Sequence, residues 1–248
     1  MALSWGSLVS HKVSRSLCLA LCATGIAACG GVKIKPEPVI PKALIEPLPA
    51  DVGVVIPGDM RNYTHSETRW GTDWTVSLGS GHTRLVKDIF KAIFRNAYEF
   101  SDLAAARAAK GLKALFEPRI EQYSFATARE TGGRYYAVTV RYRINMYTPA
   151  GELADSFTLT GYGNALAKGM SSGKPLIQAS IGAMRDAAAK FLVQFPQQPA
   201  AKRLAQNEPV AVEPKSTAGA TADAADIEEV PVEEQASAPA AEAATPKE

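Results

Sequence analysis

The sequence predicts an α+β fold: a two-layer sandwich with one mainly antiparallel sheet and two long helices on one of its faces. Three observations predict it. Residues 135–147 alternate apolar and polar side chains almost without a break, the mark of a strand with one buried face. Two other stretches, 83–100 and 175–195, repeat apolar residues every three or four positions, the mark of amphipathic helices. Across a domain set at residues 51–196 the elements run β-α-β-β-β-α, and they bury every apolar face at once if both helices lie on the same side of the sheet.

Each element has a local reason. Asp51 to Ile56 is a short apolar strand stopped by Pro57-Gly58. Trp74, Val76 and Leu78 alternate with Thr75 and Ser77, which suits a second short strand or an extended arm. From Thr83 to Phe100, Leu85, Val86, Ile89, Phe90, Ile93, Phe94 and Ala97 form one helical stripe, with Ser80 or Gly81 placed to cap it. Ser101-Asp102 precedes an alanine-rich run to Lys110, a short helix ended by Gly111.

Three strands follow. In the first, Leu115 to Phe125, Pro118 cannot donate to a ladder and so marks an edge or a strand end. In the second, Tyr135 to Tyr147, the residues Tyr136, Val138, Val140, Tyr142, Ile144 and Met146 share one face, and Thr139, Arg141, Arg143 and Asn145 the other. Thr148 to Glu152 is a turn, and Leu153 to Gly163 returns, with Gly161-Tyr162-Gly163 read as a bulge or strand end. Pro175 opens the last helix, Ile177, Ile181, Met184, Ala188, Phe191 and Leu192 form its buried face, and Pro196 closes it.

The flanks differ in composition. Five prolines between residues 30 and 50 remove amide donors and favour extended chain. Residues 29–50 therefore read as a stiff tether, long enough at ~3.1 Å per residue to hold the domain up to about 60 Å from its start, unless Ile40, Leu44 and Ile45 fold back. Residues 197–248 are rich in Ala, Pro, Glu and Thr and are expected to be a disordered acidic tail, unable to repay their ordering entropy. The net charge of +2 hides a basic domain and that acidic tail, and it argues against a nucleic-acid partner.

At the start of the chain, His11, Lys12 and Arg15 precede an apolar run from about Leu17 to Ala28, too short to span ~30 Å of hydrocarbon. The run ends Ile26-Ala27-Ala28-Cys29. Small residues suit a peptidase that must reach extended backbone, and Cys29 supplies a nucleophile that a lipid donor can alkylate. Residues 1–29 resemble the signal and lipobox of bacterial lipoproteins. The resemblance implies that residues 1–28 are removed and that Cys29 becomes the first residue, carrying three acyl chains. Because Gly30 rather than Asp follows, it implies the outer membrane of a Gram-negative cell. Each buried CH2 adds ~0.8 kcal/mol, so several chains hold firmly.

Candidate chemistry is sparse. Cys18 and Cys22 fall in the segment expected to be removed, which leaves the domain without a thiol nucleophile or a cysteine metal site. His65 and His82 have no ligand partners nearby in sequence and are expected to be exposed or in loops. The stretch Gly169 to Pro175 misses the phosphate-binding loop, with three residues between its glycines instead of four and Pro175 where a Ser or Thr must follow the lysine. No cofactor, metal or nucleotide is expected. Binding residues are more legible. Trp70 and Trp74 follow Arg61-Asn62-Tyr63 as candidate interface anchors, while Arg141 and Arg143, with Arg134 near the strand start, make a basic sheet face edged by tyrosines.

Taken with the anchor, the architecture of residues 50–195 resembles the small outer-membrane lipoproteins grouped around the LPS-assembly lipoprotein LptE, the YajG family and the auxiliary lipoproteins of ABC-type lipid transporters. That resemblance implies docking to a membrane protein or lipid handling rather than catalysis. The expectation is a non-catalytic accessory or assembly subunit, held to the membrane by Cys29, facing the periplasm and binding an envelope protein or a lipid. A structural tether acting through the acidic tail is the second reading, and a periplasmic hydrolase the third.

Overall fold

A computed structural model describes residues 31–40, 45–167 and 173–212. Its elements are β1 (Val32–Ile34), β2 (Leu48–Val55), α1 (Gly58–Arg61), β3 (Thr64–Arg69), β4 (Thr72–Ser77), α2 (Gly79–Ile93) and β5 (Phe94–Phe100). They continue as α3 (Leu103–Ala108), β6 (Ala114–Ala126), β7 (Tyr135–Tyr147), β8 (Leu153–Leu166), α4 (Gly173–Gln194), a 3-10 turn (Phe195–Gln197) and α5 (Pro199–Ala205). The fold is α+β, with a five-stranded sheet ordered β5-β2-β6-β7-β8 and a three-stranded sheet ordered β1-β4-β3.

The large sheet is mixed. β2 runs parallel to β5 and β6, because α2 and α3 carry the chain back between them, while β6, β7 and β8 form a long antiparallel meander. The apolar face of β7 is buried throughout: Tyr136, Val138, Val140, Tyr142, Ile144 and Met146 are all 6% exposed or less. Both long helices cover this face, and the rings of Phe90, Phe94, Phe116, Phe191 and Phe195 meet there at centroid distances of 5.1 to 5.9 Å. The small sheet covers the rest of the face, with Trp74 against Phe125 and Tyr136 at 5.3 and 6.2 Å. A buried polar link ties α4 to β6, where the hydroxyls of Tyr123 and Ser180 lie 2.7 Å apart and Ser180 donates to the Leu176 carbonyl. Tyr123→Phe leaves Ser180 bonded to Leu176 alone and is expected to cost about 1 kcal/mol in denaturant unfolding.

Three expectations change, and one holds. The first helix ends at Ile93 and not at Phe100, and Phe94 to Phe100 becomes β5, paired with the outer edge of β2. Phe94 continues the apolar stripe of the helix and is buried in the strand, so the stripe does not mark the switch. Pro118 has the edge position expected of it, since it falls where β6 has lost its β2 neighbour, whose pairing stops at Phe116. Gly161 and Gly163 form no bulge, since β8 pairs with β7 in continuous register through both. They let α4 approach: a Cβ at Gly161 would lie 2.0 Å from the Ala183 carbonyl oxygen, and one at Gly163 2.1 Å from that of Ala179. The helix accordingly buries Leu176, Ala179, Ala183, Met184, Ala187 and Phe191, leaving Ile177 and Ile181 at its flank.

Both flanks are shorter than expected. Val32–Ile34 forms a parallel ladder with β4, and Pro36 and Pro38 are buried beside the α2 start, where a Cβ at Gly81 would meet the Pro36 carbonyl oxygen at 2.3 Å. Residues 32–38 of the expected stiff tether thus pack against the domain, through the β4 ladder and the contact with Gly81. At the other end the chain stays packed past residue 196: Ala201, Leu204 and Val210 are buried, and the Val210 amide donates to the Lys113 carbonyl at 2.8 Å. The signal, Cys29 and residues 213–248 lie outside the described residues.

Candidate functional site

Among the described residues, the second face of the large sheet is only partly covered. At one end α3 packs Ala106 with Val55, Leu112 and Leu115. Beyond it, β6, β7 and β8 present polar side chains in register: Glu117 opposite Asn145 and Ser156, Arg119 opposite Arg143 and Thr158, and Gln122 opposite Arg141 and Thr160. These side chains hold one another. The Glu117 carboxylate accepts from the Tyr147 hydroxyl at 2.8 Å and from Arg119 at 2.9 Å, and the Ser156 hydroxyl donates to Asn145 at 2.9 Å. Partial burial and the Glu117 carboxylate push the Tyr147 phenol up to about 12.

The sequence expectation of a basic face is therefore revised. Arg119 also pairs with Asp59, and Arg143 pairs with Glu121, the extra residue of a bulge in β6. Arg141 is exposed and has no carboxylate partner among the described residues. Exposed pairs like these add only ~0–1 kcal/mol each, so their effect is to fix side-chain positions on the sheet face.

The two tryptophans separate. Trp74 is 5% exposed and belongs to the core, so it offers nothing to a partner. Trp70 is 61% exposed at the tip of the β3–β4 hairpin. It and Gly71 form a two-residue turn with φ of 52° and 73°, the positive values that such turns need and that Asn or Gly usually supplies. The left-handed conformation costs an L-residue ~1–2 kcal/mol, and the Arg129 guanidinium, 4.3 Å from the exposed Trp70 ring centroid, offsets only ~0.5–1 kcal/mol of it. Trp70→Asn is therefore expected to leave Tm nearly unchanged, which calorimetry checks. The fold gains little from a tryptophan at this position.

The ground around Trp70 is firmly built. Arg69 pairs with Glu67 and Glu130, and its guanidinium lies 4.9 Å from the Phe125 ring centroid. Glu130 accepts from the amide and hydroxyl of Thr127, which ties down the β6–β7 loop and, with the Arg69 ion pair, holds its carboxyl below the usual range.

Neither histidine is placed as expected. His65 is half-buried in β3, its ring 5.2 Å from that of Tyr123. His82 is fully buried, stacked on Tyr142 at 5.7 Å, and neither ring nitrogen has a well-formed hydrogen bond among the described residues. Desolvation lowers its pKa to about 4; the Pro118 carbonyl opposes the shift, and the charges of Arg119 and Arg61 add to it. A cleft of about 240 Å³ opens between α2 and β5, where Lys87 and Arg61 hold Glu99, but neither histidine lines it. Among the described residues no cluster of three or more His, Cys, Asp or Glu could hold a metal, and no helix is long and apolar enough to cross a membrane.

No family model and no curated protein matches the chain. Among solved structures it is similar to a crystal structure from Helicobacter pylori, provisionally described as a neuraminyllactose-binding hemagglutinin homologue. The two are 10% identical with a TM-score of 0.41, over 70% of this chain and 97% of that one.

Proposed function

We propose that the protein is a non-catalytic outer-membrane lipoprotein, held by acyl chains on Cys29 and facing the periplasm, which docks as an accessory subunit onto an envelope assembly or lipid-transport system. The lipobox at Ile26–Cys29 supports the anchoring. The observation that carries the docking is the β6–β8 face, which no other described element covers, where ion pairs and hydrogen bonds pre-order a polar surface and Arg141 has no carboxylate partner among the described residues. A surface whose polar groups are already fixed loses little entropy when a partner covers it, and charge complementarity then selects that partner.

The test is in-cell photocrosslinking from position 158 of the full-length protein, an exposed threonine opposite Arg143 on the same face, with mass spectrometry of what is joined. Recovery of the same envelope-machine component from position 158, its loss when Arg141→Glu and Arg143→Glu are added, and none from the exposed control position Lys110 are expected. Capture that is equal from both positions, or absent from 158, overturns the reading. Truncation after residue 212 is expected to leave the capture intact; loss of it would transfer the role to the tail.

A further inference from the structure

One pole of the domain gathers features that the packing of the fold does not need. β1 runs parallel to β4 with Val32 opposite Trp74, so the chain enters the domain at the end where the β3–β4 hairpin turns through Trp70 and Gly71. Gly31 presses on that end, since a Cβ there would lie 2.6 Å from the Asp73 carbonyl oxygen. The β6–β7 loop meets the same end through Arg69–Glu130 and Arg129–Trp70. There too β7 begins and β8 finishes, with Tyr135 paired to Leu166 and the Ala167 amide donating to the Arg134 carbonyl.

Two carboxylates at this pole, Asp73 and Glu130, are held by Thr68 and Arg69, and beside them stand large apolar side chains and arginines. Trp70, Tyr135 and Leu166 are 61%, 40% and 65% exposed. Arg129 and Arg134 are also exposed, with no carboxylate partner among the described residues. Tryptophan, tyrosine and arginine together are the side chains that settle at the headgroup level of a bilayer, the rings at the apolar boundary and the cations on the phosphates.

We infer that this pole is the membrane-contacting surface of the domain, with Trp70 inserted at the interface of a bilayer containing anionic phospholipid. The inference rests on the anchoring reading, and chain length supplies the link. Cys29 precedes Gly31 by two residues, so at 3.8 Å per step its Cα lies within ~8 Å of the Gly31 Cα. Acyl chains on Cys29 then leave no slack to hold the domain off the bilayer. They bring the Trp70 pole down onto it, and the uncovered β6–β8 face stays clear for a protein partner. The same contact explains a tryptophan in a turn that would fold as well with asparagine.

The experiment uses the natively acylated full-length protein in vesicles of phosphatidylethanolamine and phosphatidylglycerol, with and without brominated acyl chains. Processing at Cys29 leaves Trp70 and Trp74 as the two tryptophans. Bromolipid is expected to quench the wild-type emission, and the quenched component is expected to vanish in Trp70→Phe, which keeps only the buried ring. Replacing phosphatidylglycerol with neutral lipid is expected to weaken the quenching. Protein that carries acyl chains by mass spectrometry and floats with vesicles, yet shows no quenching of Trp70, overturns the pole assignment and leaves the anchoring intact. An unmodified Cys29 in protein that does not float overturns the anchoring reading, and the pole assignment with it.

Discussion

Gly163→Val is expected to destabilise the domain by about 3 kcal/mol or more and to lower Tm by about 10 °C, because the added side chain meets backbone that no rotamer change can move. A Cβ at 163 alone would stand 2.1 Å from the Ala179 oxygen and 2.3 Å from the Ala183 nitrogen. The valine methyls extend further into α4, and the helix must lift from β8. Lifting it opens the contacts of Met184 and Phe191, both fully buried, so the damage spreads to the aromatic core. Gly161→Val is expected to behave alike, its Cβ reaching the Ala183 oxygen at 2.0 Å. Gly58→Ala is the control: nothing lies within 4 Å of its Cβ, and a change within about 0.5 kcal/mol is expected. Calorimetry on all three decides the matter, and an unchanged Tm for Gly163→Val would mean that α4 does not lie on β8.

Acidification from pH 6.5 to 5 is expected to remove about 2 kcal/mol of stability through His82 alone. The sign follows from the two end states. The folded protein keeps His82 neutral down to about pH 4, whereas the unfolded chain takes up the proton near the ordinary imidazole value of 6.5. Below 6.5 the unfolded state therefore binds more protons, and stability falls with pH until the folded state also protonates near 4. Over the full window the loss is about 3 kcal/mol.

The groups packed around the ring reinforce this. Arg61 and Arg119 repel an imidazolium, and Tyr142, stacked on the ring, is buried with its phenol pKa raised and so offers no anion. Carboxylates with lowered pKa values, such as Glu99 and Asp186, release stability only at more acid pH. His82→Phe keeps the stacked ring and removes two unsatisfied nitrogens. Its urea-unfolding stability is expected to lose about 2 kcal/mol of the fall between pH 6.5 and 5 and to be at least equal to wild type at pH 7. A variant that retained the wild-type slope would rule His82 out as its source.

Some of this molecule is written in local pattern and some is not. The alternation of Tyr136 to Met146, the turn at Thr148–Glu152, the short helix behind Asp102 and the α+β class follow from sequence alone, because period-two and period-3.6 burial are properties of neighbouring residues. Tertiary structure decided the rest. Phe94 to Phe100 is strand because β2, some forty residues earlier, offers it an edge. The polar run Thr64–Arg69 is strand because β4 pairs with it, and the hairpin register then sends Trp74 inward and Trp70 to the tip. Arg141 and Arg143 share a face by pattern, but a bulge that no pattern announces gives Glu121 to Arg143. The alanine stripe of α4 outranks the larger Ile177 and Ile181 because two glycines on a distant strand let a helix backbone come close. The sequence by itself determined each segment's preferred period and the lipobox-like start of the chain. Which apolar face meets which, and which polar groups are left unpaired, is a property of contacts between remote segments, and those exist only once the chain has folded.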